Sequence, residues 1–361
     1  MNKLIVPAML GILLIFGNVG ANESNGGISI KGDFRYRHEM IDKEASEVRH
    51  RHRLRARFYL EGTVNDHSKI ILGLSSGSSD PVSNNQTLTG SFSSKGLLID
   101  LAYFQIMPEG VPGLKAIGGK MKNPYFKPGG SELIWDSDIR QEGIAAFYSR
   151  TEENVSVGIM GAGFWIEENK AGDDAYLLGG QATGSYHLPE KSGHLKGGVS
   201  FFNYVNTRGF ATFYDEEDSY GNTVDDSGWY AFDYELLEIG AEVYYRINWI
   251  PVTAMFDYVT NTAADSLNTG WLAGITVGKT GKPGSWDFRY IYRELKRDAV
   301  LGLFADSDFR GGGTDAKGHE VGASLQVMEK TTFAVTYFHN EIGFEDSLDF
   351  QRLQVDLKFK F

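Results

Sequence analysis

The last twelve residues of the chain, Phe350 to Phe361, alternate strictly between polar and apolar side chains from Arg352 onward. In an extended strand one face then carries only apolar residues and the opposite face carries polar or charged ones. A half-buried strand of a soluble sheet also alternates in this way. Here, however, the alternation continues without a turn residue to an aromatic last position. This pattern is typical of the closing strand of an outer-membrane β-barrel, whose apolar side meets lipid and whose polar side meets a watery lumen.

Comparable patterns recur along the chain and predict about sixteen strands. Most of them approach the ~9–11 residues that a tilted strand needs to cross a bilayer. An even number of antiparallel strands allows a barrel to close, so that no unpaired edge faces lipid. The predicted strands cover residues 28–40, 48–64, 69–75, 97–107, 114–120, 143–149, 155–166, 176–187, 195–205, 234–247, 252–261, 271–279, 286–295, 320–328, 332–339 and 350–361.

The lengths of the links between these strands follow an alternating pattern. Every second link is short, as at 65–67 and 248–251, whereas most of the others are longer, as at 206–233 and 296–319. Outer-membrane barrels have short turns on the periplasmic side and long loops outside. We therefore expect an all-β fold: a single transmembrane antiparallel β-barrel over residues 22–361, with both termini in the periplasm.

The amino-terminal residues predict export. Lys3 precedes an apolar run from Leu4 to Phe16, and Val19-Gly20-Ala21 provides small residues for cleavage. This is the pattern of a secretory signal peptide over residues 1–21. The run is too short for a spanning helix, which needs ~20 residues.

Composition agrees with this class. The 361 residues include 44 Gly, 13% aromatic residues and no Cys, which excludes a disulfide scaffold or a Cys-ligated metal site. The formal net charge is −12, and removal of Lys3 with the signal peptide makes it −13, which argues against nucleic acid as a partner. No motif indicates a cofactor, a metal site or a catalytic residue.

Arginines recur at every second position of the second predicted strand, which reads VRHRHRLRARFYL from Val48 to Leu60. They share one face, and unpaired arginines in hydrocarbon cost several kcal/mol each near the midplane, so they are expected to face the lumen. The first strand contributes two more at the same parity. Six of these seven arginines, without Arg49 at the strand end, form what we call the arginine wall: Arg35, Arg37, Arg51, Arg53, Arg55 and Arg57.

Such a wall needs counter-charge, and the link from Met121 to Glu142 provides candidates. Its Pro128-Gly129-Gly130 allows a sharp turn. Three acids follow closely beside Leu133, Ile134 and Trp135: Glu132, Asp136 and Asp138. Alternatively, these acids lie on the surface of an exposed loop and have no role in the lumen.

The phrase GGKMKNPYFKPGGSELIWDSD, followed by EGIAAFY, resembles a putative-porin family within the general bacterial porin superfamily. The resemblance extends over the mature chain in strand number and loop order, although the Pro-Gly-Gly element only partly matches the loop signature of enteric porins. It implies that the loop after the fifth strand folds into the lumen. Glu132, Asp136 and Asp138 would then form the acidic side of a pore constriction, opposite the arginine wall.

The same resemblance implies an outer-membrane diffusion channel for small hydrophilic solutes and ions. It also implies lipid, lipopolysaccharide and the barrel-assembly machinery as partners, with Phe359 and Phe361 as the assembly signal. A homotrimer is expected on the same ground, although the sequence itself does not determine the oligomeric state.

Three alternatives remain at this point. The arginine wall would also suit a channel specific for anions or organic acids. An outer-membrane enzyme would need a clustered nucleophile and base, and the 8 His lack such a motif. An adhesive barrel would act through its acidic long loops.

Overall fold

The computed structural model describes residues 27–170 and 172–361, which form one continuous antiparallel sheet that closes on itself. The predicted signal peptide, residues 1–21, lies outside the described residues. Within the described ranges, no helix is long and apolar enough to cross a membrane.

Sixteen strands build the wall of the barrel, and each joins its sequence neighbours by antiparallel pairing. They are β1 (Ile28–Lys43), β2 (Arg49–Asn65), β3 (Ser68–Ser75), β4 (Leu98–Ile106), β5 (Leu114–Lys122), β6 (Arg140–Glu152), β7 (Val155–Glu167), β8 (Ala175–His187), β9 (Gly193–Val205), β10 (Tyr234–Ile247), β11 (Ile250–Asn261), β12 (Thr269–Gly278), β13 (Trp286–Leu295), β14 (Ala316–Met328), β15 (Thr331–Ile342) and β16 (Leu348–Lys360). A further strand of two residues, Gln86–Thr87, pairs with β2 at Arg53 and Leu54. The prediction of a sixteen-stranded all-β barrel is confirmed.

The four longest links, 76–97, 123–139, 206–233 and 296–315, all lie at one end of the barrel, as predicted, whereas the remaining links have at most seven residues at either end. One end carries the short turns 66–67, 107–113, 153–154, 188–192, 248–249, 279–285 and 329–330. The other end carries loops L1 to L8, which cover 44–48, 76–97, 123–139, 168–174, 206–233, 262–268, 296–315 and 343–347.

The two faces of the strands differ in exposure according to the period of two. On β10, Ile239 and Val243 project outward and are 49% and 46% exposed, whereas Glu238 points inward and is 4% exposed. The sequence alone does not determine the faces of the third and fifth strands; in the structure Ile70 lies outside on β3 and Ile117 lies inside on β5. The outer apolar band is the surface that lipid covers.

The barrel closes where β16 pairs with β1, from Asp33 opposite Lys360 to Lys43 opposite Phe350. Gly32 and Phe361 exchange two backbone hydrogen bonds of 3.1 Å at the end of this seam. The Phe361 ring covers Gly32, and its centroid lies 5.7 Å from that of Phe58. A Cβ on residue 32 would meet this ring and would lie 2.6 Å from the carbonyl oxygen of Arg57, so only glycine leaves room for the last residue.

Candidate functional site

All six residues of the arginine wall lie on the inner face of β1 and β2. The register places Arg35 beside Arg55 and Arg37 beside Arg53. Their side chains are between 4% exposed, for Arg37, and 17% exposed, for Arg57. The period of two explains this arrangement, because the alternate residues of both strands form the outer face.

Carboxylates within the same wall pair with these arginines. Asp33 on β1 lies 3.1 Å from Arg55 and 2.8 Å from Arg57. Asp356 on β16 accepts two hydrogen bonds from Arg37, of 2.7 and 2.9 Å. The basic wall is therefore a mixed network in which acids from neighbouring strands reduce the net positive charge.

Glu39 is the most deeply buried acid of this network, with a side chain that is 0% exposed. It accepts a hydrogen bond from Arg51 and lies 4.0 Å from Arg53 and 3.9 Å from Arg352. The sequence prediction placed the counter-charge in L3 and overlooked these acids. The parity of Glu39 with the inward arginines of its own strand was the signal that could have revealed it.

L3 turns into the barrel and brings Asp138 to the arginine wall. The Asp138 Oδ1 atom lies 3.5 Å from Arg55 and 3.4 Å from Arg57. Burial opposes ionisation of this carboxyl, but Arg55 and Arg57 outweigh burial and hold the pKa of Asp138 below its usual range. Asp138 therefore carries a negative charge at neutral pH.

Glu132 and Asp136 occupy a different position. Their carboxylates cluster with that of Asp306 from L7, with the oxygen atoms all within 4.8 Å of one another. Ser307 of L7 donates a backbone hydrogen bond of 2.9 Å to Asp136, and Arg293 of β13 pairs with Asp306 at 3.0 Å. Because L7 engages these acids, the expected direct pairing of Glu132 and Asp136 with the arginine wall is not formed in the described part of the chain.

The two charged groups nevertheless share one space, a lumen cavity of about 270 Å³. Its lining includes Arg35, Arg37 and Arg55 from the wall, together with Glu132, Asp136 and Asp138 from L3. The other three wall residues, Arg51, Arg53 and Arg57, are not part of this lining. We call this cavity the charged slot.

The carboxyls of Glu132 and Asp136 hold protons more strongly than free carboxyls do. Burial, reinforced by the neighbouring Asp306, raises the pKa of Glu132 to about 8. Burial, reinforced by Glu132 and Asp138, also raises the pKa of Asp136 well above its usual value. Glu132 is therefore mainly protonated at pH 7, and Asp136 is shifted toward its protonated form, unlike Asp138.

The turn of L3 is anchored on the far side of the lumen. Ser131 donates a hydrogen bond of 2.6 Å to Asp257 of β11. The backbone N–H of Gly129 donates to Glu242 of β10 at 2.7 Å, and Arg289 of β13 donates to the Gly129 carbonyl oxygen at 3.0 Å. Gly129 has φ +57° and its Cα faces Met255, so a side chain here would be strained and would collide.

Apolar residues next to the acids hold L3 against the inner wall. Trp135 is 3% exposed, and its ring centroid lies 5.5 Å from that of Phe202 on β9. Tyr125 meets Phe202 edge to face at 4.8 Å. Buried aromatic contacts of this kind stabilise the loop in one position. The apolar residues beside the L3 acids are thus buried inside the barrel.

L2 and L7 also enter the lumen, which the sequence did not predict. Asn84 of L2 donates a backbone hydrogen bond of 3.3 Å to Asp138, so that L2 touches L3. Asp308 of L7 lies 3.3 Å from Arg37 and 2.7 Å from Arg352. These loops carry no strand-like periodicity, and their inward path depends on contacts between distant residues.

Solved structures of outer-membrane proteins share this fold. Salmonella typhi OmpF, in complex with daunomycin, is 13% identical, with 94% of this chain and 99% of that chain covered and a TM-score of 0.57. The outer membrane channel DcaP of Acinetobacter baumannii is 10% identical over 95% of this chain and 99% of its own, with a TM-score of 0.54. The trimer form of OmpT, an outer membrane protein of Vibrio cholerae, is 11% identical over 94% and 100%, with a TM-score of 0.51.

Comparison of the sequence with known families identifies a family in addition to the fold. No curated protein matches the chain. The family described as "Putative porin" matches residues 16–227 and 223–361, which together span nearly the whole sequence.

Proposed function

The chain belongs to the putative porin family, and we propose that small hydrophilic solutes and ions diffuse passively through its barrel past the charged slot. The protein is an outer-membrane β-barrel channel. The observation that supports a selective constriction is the shared lining of the slot, where wall arginines and L3 acids border the same space of about 270 Å³. Rows of opposite charge in a narrow wet passage select solutes by charge and by dipole.

The net charge of the slot depends on pH. Its lining contains five arginines (Arg35, Arg37, Arg55, Arg289 and Arg293) and six carboxyls (Glu132, Asp136, Asp138, Asp306, Asp308 and Glu320). With every group ionised, five positive and six negative charges leave −1. With Glu132 protonated, five negative charges remain and the net charge is zero, and protonation of Asp136 as well would make it +1. Protonation of these two acids therefore moves the slot toward anion selectivity.

We expect the channel to become more cation-selective as the pH rises from 6 to 9. A carboxyl with a raised pKa is neutral below that value and negative above it, so Glu132, with its pKa of about 8, gains charge within this range. One charge about 6 Å from a permeating ion changes its energy by about 0.7 kcal/mol in water, or roughly threefold in the permeability ratio. The measurement is the reversal potential of single channels in planar bilayers under a KCl gradient.

The Glu132→Gln, Asp136→Asn double variant serves as the control for that titration. It should lose most of the pH dependence and should resemble the unaltered channel at pH 6. Equal reversal potentials at pH 6 and pH 9 in the unaltered channel would show that these carboxyls do not control the ion path.

For its environment, we propose removal of residues 1–21 on export, contact with lipid and lipopolysaccharide, and assembly as a homotrimer. The trimer form of the similarly folded OmpT supports the last point. The family and fold favour a channel rather than an enzyme. The raised pKa values of Glu132 and Asp136 in the slot support an anion-specific channel as the second candidate.

The orientation of the barrel can be tested by cysteine labelling of intact cells. A cysteine at the exposed Asp226 of L5 should react with an impermeant thiol reagent, because L5 lies on the side of the long loops. A cysteine at the exposed Lys282, in a short turn, should react only after the outer membrane is opened. The chain has no native cysteine to confuse the result. Labelling of Lys282→Cys on intact cells would reverse the proposed orientation.

A further inference from the structure

A second and larger cavity, of about 750 Å³, lies inside the barrel on the opposite side of L3 from the acids of the charged slot. Pro124, Tyr125 and Phe126 of L3 form one boundary, and the short turn 107–113 forms another. The remaining walls come from the ends of β5 to β9 that adjoin the short turns. The cavity thus occupies the half of the lumen that faces the periplasm in the proposed orientation.

Its walls are mainly apolar. The apolar lining residues include Met107, Val111, Phe126, Phe147 and Met160. A volume of about 750 Å³ falls within the range of pockets that take small organic molecules, roughly 300–1,000 Å³. An aqueous vestibule for inorganic ions alone has no need of such walls.

Two lysines interrupt the apolar surface, and each lies over an aromatic ring. The Nζ atom of Lys115 is 4.3 Å from the centroid of Phe147, and that of Lys196 is 4.0 Å from the centroid of Phe126. Glu242 lies opposite Lys196 on β10, but its carboxylate is 3.2 Å from His194 and accepts a hydrogen bond from the Gly129 N–H. The acid in the lining, Glu109, is 3.6 Å from His67.

Gln181 of β8 holds Phe126, which is part of the cavity lining, in place. Its Oε1 atom accepts a hydrogen bond of 2.7 Å from the backbone N–H of Phe126, and its Nε2 atom donates 3.0 Å to the Phe126 carbonyl oxygen. The Phe126 backbone, from which the ring under Lys196 projects, is thereby fixed relative to the barrel wall. A ligand would meet a surface that is already organised.

We propose that this cavity binds amphipathic organic carboxylates, with an aromatic or aliphatic body between Phe147 and Met160 and the carboxylate on Lys115 or Lys196. The walls supply apolar contact, and the two ammonium groups supply positive charge. Small inorganic anions would use only the lysines, and neutral aromatic molecules would use only the walls. The combination selects ligands that have both parts. This site is separate from the charged slot, so a test of ligand binding here is independent of the proposed diffusion function.

The test is equilibrium dialysis of benzoate against the purified full-length barrel in detergent, at neutral pH. We expect saturable binding of benzoate, with acetate and benzamide each at least about tenfold weaker. The Lys115→Gln, Lys196→Gln double variant should lose at least about tenfold in affinity. The Lys282→Gln, Lys330→Gln variant removes the same charge from two short turns outside the cavity and should bind as the unaltered protein does.

Each alternative result would overturn the proposal. Benzamide binding as tightly as benzoate would mean that the lysines do not recognise charge. Equal loss in the two glutamine variants would mean that general electrostatics attracts the anion. Should the Lys115→Gln, Lys196→Gln chain fail to fold, as judged by heat-modifiable mobility on gels, the Lys115→Arg, Lys196→Arg variant decides the question, because it must retain binding. Conductance is not involved in this assay, so a negative result leaves the channel function untouched.

Discussion

A chain in which Phe359 and Phe361 are both replaced by aspartate is expected to yield little closed barrel, at least about tenfold less than the unaltered protein. Phe359 packs against Phe34 with ring centroids 6.2 Å apart, and Phe361 packs over Gly32 and against Phe58. Both rings lie on the lipid-facing side of the seam, where Phe361 is 53% exposed, so aspartate at these positions places charge against lipid. Removing two rings from the closing seam also weakens the contact that completes the sheet.

Backbone pairing adds to this effect, because an open edge in lipid leaves peptide groups without hydrogen-bond partners. The measurement is heat-modifiable mobility of outer-membrane fractions on gels, which separates closed barrels from unfolded chain. Lys360→Asp is the matched control, since it places the same acid in the same strand on the lumen side. Normal amounts of folded protein in the double aspartate variant would show that these rings do not guide closure or assembly.

Asp138→Asn is expected to shift the channel toward anions at every pH from 6 to 9, by roughly threefold or more in the permeability ratio. The change removes a carboxylate from Arg55 and Arg57, at 3.5 and 3.4 Å, while both guanidinium groups remain in or beside the slot. Because the pKa of Asp138 is held low, the lost charge is present throughout this pH range. Reversal potentials under a KCl gradient measure the shift.

The same variant should increase open-channel current noise, since Asp138 also accepts the backbone hydrogen bond that joins L2 to L3. Breaking a buried ion pair from one side destabilises by about 3–5 kcal/mol in well-buried cases. Asp226→Asn makes the same change of charge on the exposed surface of L5 and should leave selectivity and noise unaltered. An Asp138→Asn channel with the selectivity of the unaltered one would mean that ions do not pass beside Arg55.

The strands could be predicted from the sequence because each one alternates between lipid and lumen, and this period is a local property. Errors at the strand ends have a local cause as well. The predicted start at residue 143 missed the beginning of β6 at Arg140, and the predicted start at 320 missed that of β14 at Ala316. Polar and small residues at these ends conceal the alternation.

The site was only partly predictable, because its pairing depends on register and on loop paths. The inward arginines follow from parity, and the acids of L3 follow from composition. The partners of these residues could not be predicted. Asp356 contacts Arg37 because β16 pairs with β1 at the seam, and Asp136 accepts a hydrogen bond from Ser307 of L7 instead of contacting the arginine wall. Neither contact joins residues that are near in sequence.

The pairing of the first strand with the last has a consequence for how the protein is made. The ion pair of Arg37 with Asp356 joins residues 319 positions apart, so it cannot exist until the whole chain has been synthesised and delivered. Contacts of such long sequence separation slow folding and prolong the lifetime of exposed strand edges. Until then the seam edges of β1 and β16 have no partner, and a chain that ends before β16 would leave the edge of β1 unpaired.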